Sequence, residues 1–301
     1  MEGYYAVNRT NVAANAYVVQ AAYHSAKMRR AGKDPKALDW CKSTITAFER
    51  YRGTAPIVDG HNKALGSIQA DMAAECAYQA LDERIKAEFD YETGHHRYVG
   101  VIDKVKKTFD EDIKKAEGYF NQLQEVVTKF ESRPWSVAAK ARQGSLYDGC
   151  RTGLYNARPP GLKLYTDKEE KLLKLAETSG REDLQEQADA IRQKRREDWR
   201  SARERSLNDA DKAMVKFYTE AVVYGRAFKV RNAAVDTAIQ RLAFFTNILG
   251  DQKLREYSQG VTDPETKSPF QYSDGVFLRT RPGMAPQLKS DDLPAPLPVV
   301  P

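Results

Sequence analysis

From Glu182 onward, apolar residues return mostly every three or four positions: Leu184, Ala188, Ile191, Trp199, Ala202, Leu207, Ala210, Met214, Phe217 and Ala221. A half-buried strand would alternate with a period of two, whereas this spacing lays one stripe along a helix. Residues 182–221 therefore predict a single long, coiled-coil-like arm. A chain with such a segment must bury it against other helices.

The remainder repeats the pattern in shorter pieces. Val12, Ala16, Val19, Tyr23 and Ala26 predict a first helix between Asn8 and Arg30. Gly32 stops it, and Asp34-Pro35 opens a second helix on Leu38, Cys41, Ile45 and Phe48. RGTAPIVDGHN, residues 52–62, reads as a loop. Helix resumes near Ala64 and runs to about Asp90 on Ile68, Met72, Cys76, Leu81, Ile85 and Phe89. After YETGHHRY another spans Val99 to Phe130, then one spans Ala138 to Tyr155 and ends at Arg158-Pro159-Pro160-Gly161. Thr166 with Glu169 three residues later is the capping-box signature of a further helix, which Ser179-Gly180 breaks. Asn232 opens the last clear helix, through Ile239, Leu242, Phe245 and Leu249.

Charged residues make up 30% of the 301 and hydrophobic ones 41%, a balance that suits helices with wide solvated faces rather than a thick core. The expected fold is all-α: an elongated array of helical hairpins, one long coiled-coil-like helix, and an extended proline-rich C-terminal tail. Three regions follow: 1–160 as helical hairpins, 161–258 as the long charged helix and final hairpin, and 259–301 as irregular tail.

KFESRPWSVAAKARQGSLYD, residues 129–148, is a seam between helices. In a tetratricopeptide repeat a proline closes one 34-residue hairpin, and Gly and an aromatic follow early in the next. Pro134 precedes Gly144 by ten residues and Tyr147 by thirteen, which is the repeat's register. Gly144 would let two helices approach, Tyr147 would fill the gap, and Ala138 and Ala141 are small for the same reason. Lys140 stands where the pattern has Trp, Gln143 where it has Leu, and Pro160 falls inside the partner helix. Related seams near Phe48 and Phe228 lie 82 and 98 residues from Phe130, neither a multiple of the repeat. The chain thus resembles a degenerate tetratricopeptide array, with another irregular helical solenoid or bundle as the alternative.

GSLYDGCRTGLYNARPP, SGREDLQEQADAIRQ and the ending DGVFLRTRPGMAPQLKSDDLPAPLPVVP also resemble the C-terminal part of large tetratricopeptide proteins of myxobacteria, some of them tied to adventurous gliding motility. That resemblance covers most of residues 36–301. It implies an assembly protein of the cell envelope, without enzyme activity.

Candidate sites are few. Glu92 and His95 match half of a di-iron Glu-x-x-His motif, but a second copy is missing and Gly94 weakens the helix it needs. His95-His96 reads as a solvated turn, and His24 and His61 lack a neighbouring nucleophile or acid. Cys41, Cys76 and Cys150 are far apart, in no zinc or redox spacing, and read as small buried thiols. Phosphate loops, dinucleotide fingerprints, GxSxG and HExxH are all missing from the sequence. No catalytic, cofactor or metal residue is therefore assigned, and no cofactor is expected.

The basic run at 192–205, RQKRREDWRSARER, offers Arg195, Arg196 and Arg200 to nucleic acid or an anionic membrane surface, with Trp199 available for stacking. Acidic REDLQEQAD lies just upstream, and Arg200 with Glu204 makes an i,i+4 pair, so a solvated arm with internal ion pairs is the competing reading. Net charge, +6 from 48 basic and 42 acidic residues, is spread along the chain. In the tail, Leu293, Pro294, Pro296 and Pro298 could serve as a linear motif for a partner's groove, strap the chain's own helices, or remain an unstructured end. Neither a signal peptide nor a membrane span is recognisable. A helix-like beginning makes an upstream segment, with an export signal, plausible. The function expected is a non-catalytic scaffold that holds other proteins of a larger assembly, with the basic-run binder as the alternative.

Overall fold

A computed structural model describes residues 1–90, 96–273 and 276. The protein is all-α, with about 75% of the described residues helical. Among the described residues no helix is long and apolar enough to cross a membrane. Leu293, Pro294, Pro296 and Pro298, like Glu92 and His95, lie outside the described residues.

The described residues form two compact units, 1–89 with 119–144 and 215–273, and 96–118 with 145–214. They interleave along the sequence because α5 (Ile102–Phe130), α6 (Arg133–Tyr155) and α8 (Glu182–Phe228) each supply residues to both.

The first unit begins with α1 (Glu2–Asn8), a 3-10 turn at Val12–Ala14 and α2 (Asn15–Ala31). One helix from Asn8 to Arg30 is thus replaced by two. Asn11 is the reason: its side-chain oxygen accepts from the Ala13 amide at 3.2 Å and starts the chain afresh. Val12 is consequently exposed, while Val18, Val19, Ala22 and Tyr23 face inward. α3 (Ala37–Thr54) packs on α2, and α4 (Ile68–Glu88) packs on both. The segment 52–62 is not simply a loop. α3 runs to Thr54, and β1 (Ile57–Val58) then pairs antiparallel with β2 (His61–Asn62). Asp59 and Gly60 both take positive φ between them, as a primed two-residue hairpin turn requires. α9 (Ala233–Leu249), capped by Asn232, and α10 (Asp251–Tyr257) complete the unit.

In the second unit, β3 (Gly100–Val101) pairs in parallel with β4 (Leu162–Lys163). α7 (Asp167–Ser179) starts from a complete Thr166–Glu169 capping box and ends at Gly180 in the left-handed region. It packs on α8 through Leu173, Ala176 and Ala188. The 47 residues of α8 extend the expected arm through Phe228.

α6 starts at Arg133, five residues before the expected Ala138. Pro134 therefore sits in its first turn, where the missing N–H removes no helical bond. Along the second half of α6, Gly153 lets a neighbouring backbone approach. The His96 amide donates to the Gly149 carbonyl at 3.2 Å, and a Cβ on Gly153 would stand 2.1 Å from the His96 carbonyl oxygen. Gly118, in α5, has open space around the same position.

Two outcomes follow. Gly153→Ala should cost about 1–3 kcal/mol, because a backbone carbonyl cannot swing aside. Gly118→Ala should gain about 0.5–1 kcal/mol from helix propensity alone. Equal urea midpoints for the two variants would contradict this packing. Separately, Asp71 in α4 accepts a hydrogen bond from the Ser132 hydroxyl at 2.6 Å, yet burial raises its carboxyl pKa above the ordinary value, with Ser132 and Arg133 pulling the other way. The folded state thus holds this proton more tightly than the unfolded chain. Stability should fall as pH rises through the window between the ordinary and the raised value, and the penalty should persist above it. Asp71→Asn should lack that fall, so its urea midpoint should gain on the unsubstituted chain between about pH 4 and about pH 7. A constant difference would contradict the burial argument.

Candidate functional site

Each unit carries a groove walled by helices. In the first, α3, α4 and α5 enclose about 290 Å³ over a floor that includes Ile45, Leu81 and Val126, with Arg84, Glu125 and Lys129 on the rim. Lys129 pairs with Glu49 at 2.8 Å, and the Arg84 guanidinium lies 5.8 Å from the centre of the Tyr119 ring while donating to Gln122. In the second unit, a groove of about 360 Å³ has Phe109, Ile113 and Tyr147 at its base, and Asp110, Glu117, Asp209 and Arg205 around it. Burial, with Glu117 nearby, pushes the Tyr147 hydroxyl up to about 12. Apolar floors with charged rims suit the side chains of another polypeptide.

The seam residues are placed by α6. Ala138 and Ala141 are buried in the first unit, and a Cβ on Gly144 would meet the Tyr218 ring at 2.7 Å. Lys140 and Gln143, the departures from the repeat pattern, are buried as well, and they anchor a polar network. The Lys140 ammonium donates to Gln124 Oε1 at 3.0 Å and lies 2.6 Å from Glu220 Oε2, an ion pair whose angle is not that of a hydrogen bond. Its charge also lies 5.9 and 5.7 Å from the ring centres of Phe217 and Tyr224. Gln143 donates to the Phe120 carbonyl at 3.1 Å. Arg142 Nε donates to Asp82 at 2.7 Å. In the second unit the Arg151 guanidinium donates to Asp211 at 2.8 Å with both side chains buried.

The basic run places its charges differently. Arg192 pairs with Glu177 and Asp189, Arg195 with Glu169, and Arg200 with Glu204, all at 2.8–2.9 Å. Glu169 is therefore shared between the cap of α7 and Arg195; the Thr166 backbone N–H and then Arg195 hold its carboxyl below the ordinary range. Arg196 is exposed and joins Arg192, Arg200, Asp189 and Glu197 around a shallow hollow. Trp199, open to stacking in the binder reading, is buried. A phosphate arriving here would have to compete with carboxylates already in place.

His96 is not the solvated residue expected. It is 2% exposed, its Nδ1 lies 2.7 Å from Asp112 Oδ2, and its ring stacks beside Tyr98. The Tyr98 hydroxyl is buried near Asp112 and Cys150 without a well-directed hydrogen bond, and desolvation drives its pKa far up. Gly153 in DGCRTG, a glycine within a helix, is the signal that could have located this contact. Among the described residues no group of three or more His, Cys, Asp or Glu is arranged to hold a metal ion. Glu92 and His95 fall outside that search.

No known protein family, curated protein or solved structure matches this chain.

Lys140 and Glu220 give a test of the buried network. Glu220→Ala should cost about 3–5 kcal/mol, since it strands the ammonium in the interior. The double substitution Lys140→Met with Glu220→Leu should recover most of that loss, because two apolar groups of similar volume leave no charge unpaired. Chemical denaturation of both variants checks this, and a double variant no better than the single one would contradict it.

Proposed function

We propose that the protein is a non-catalytic scaffold, a tetratricopeptide-like helical array that holds other proteins of a larger assembly. The observation that carries this reading is the pair of helix-walled grooves, one in each unit, with apolar floors and charged rims. The successive packing of α2, α3 and α4 supports a repeat-like construction, as do the small residues Ala138, Ala141 and Gly144 on one helix. In such an array recognition is spread over many side chains on adjoining helices. The departures at Lys140 and Gln143 fit the same reading, with a polar network taking the place of the apolar residues that usually join neighbouring helices. Placement of the assembly at a cell envelope rests on the sequence resemblance.

Crosslinking capture from the source cells tests the proposal. The full chain should retain a reproducible set of proteins, with crosslinks mapped to Lys129 and to Asp110, Glu117 or Asp209. A charge in the second groove, Ile113→Lys, should reduce the crosslinks there by about tenfold or more while circular dichroism stays unchanged. Recovery of nucleic acid in place of protein, lost steeply between low and moderate salt, would favour the Arg195, Arg196 and Arg200 surface and overturn the scaffold.

A further inference from the structure

Cys41 and Cys76 are 35 residues apart in sequence but meet in the core of the first unit, one on α3 and one on α4. Both lie in one buried cluster with Tyr23, Ala26 and Met72, against which Trp40 and Ile45 pack. The Arg30 guanidinium of α2 donates to Cys41 Sγ at 3.4 Å. Arg30 is itself held by Gln79 Oε1 on α4, and Glu75 and Tyr23 complete the surroundings, joined by a 2.8 Å hydrogen bond. This is a dithiol with a fixed cation against one sulfur.

The two sulfurs are not equivalent. The neighbouring Cys76 and then the Arg30 guanidinium, which donates to its sulfur, favour the Cys41 thiolate, while the nearness of Cys41 and burial push the Cys76 thiol up. Cys150, enclosed beside Asp112, is raised by desolvation to about 12. A thiolate, not a thiol, attacks an oxidant. Cys41 is 1% exposed and Cys76 fully enclosed, but the Arg30 side chain is 29% exposed and reaches the Cys41 sulfur.

We infer that Cys41 and Cys76 form a reversible redox site that a peroxide converts to an intramolecular disulfide between α3 and α4. The Cys41 thiolate attacks one peroxide oxygen and breaks the O–O bond, giving a sulfenic acid and hydroxide, which a proton converts to water. The Cys76 sulfur then attacks the Cys41 sulfur and breaks its S–O bond. Hydroxide leaves and takes up the Cys76 proton as a second water, so two thiols and one peroxide yield one disulfide and two waters. The bridge fixes α3 to α4, which contribute Ile45, Leu81 and Arg84 to the first groove.

The experiment treats the folded, unsubstituted full chain with hydrogen peroxide and follows intact mass and non-reduced peptide maps. The expected result is a loss of about 2 Da, a link joining the peptides of Cys41 and Cys76, and Cys150 still alkylatable after its own thiol has reacted at least about tenfold more slowly. Dithiothreitol should restore the starting mass. In Cys76→Ser, checked for folding by circular dichroism, Cys41 should stop at a sulfenic acid that dimedone traps. Three intact thiols after treatment, a bridge involving Cys150, or a Cys41–Cys76 bridge that forms only in urea would overturn the assignment.

Discussion

The structure depends on burying α6, a helix whose sequence is polar, and on pairing nearly everything it carries inward. Ser132 just before it and Ser136, Lys140, Gln143, Asp148 and Arg151 within it are all buried. An apolar helix could be enclosed with no further conditions. Here each enclosed charge needs a counter-charge or a hydrogen bond at a fixed place on another helix. Lys140 meets Glu220, Arg151 meets Asp211, Ser132 meets Asp71 and Gln143 meets the Phe120 carbonyl. Such pairings specify which helix faces are neighbours more sharply than apolar contact does. Small residues on the same helix complete the arrangement, since Gly144 and Gly153 permit approaches that a methyl group would block.

Apolar side chains fill the core around these pairs, Val137, Leu146 and Leu154 of α6 among them, and others line the grooves. Ile45, Leu81 and Val126 in the first unit, and Phe109, Ile113 and Tyr147 in the second, form floors under charged rims. The basic stretch of α8 follows the opposite logic: Arg192, Arg195 and Arg200 close ion pairs within their own unit. Exposed pairs of this kind contribute little to stability individually, but they occupy the guanidiniums that an external anion would need.

What could be read from the sequence was local. Thr166 with Glu169 located a capping box, Asn232 located a cap, and the three-to-four spacing from Leu184 located the long helix, because each signal lies within one turn or one stripe. The all-α class followed from those pieces. The unread features join distant residues: Lys140 and Glu220 are 80 positions apart, Arg151 and Asp211 are 60, and Cys41 and Cys76 are 35. No periodicity encodes such pairings. The burial of His96 escapes a local reading for a related reason, since its backbone packs on Gly153 in a helix more than fifty residues downstream. Asn11 and the Asp59-Gly60 turn carried local signals that the broader helical and loop patterns obscured.

Amide hydrogen exchange, resolved by peptide, tests the organising role of α6 most directly. Burial of both halves of this helix predicts that amides of residues 136–151 open only with the cooperative loss of structure, and exchange far more slowly than those of residues 190–205 on the exposed stretch of α8. Exchange in residues 136–151 as fast as in 190–205 would contradict the account.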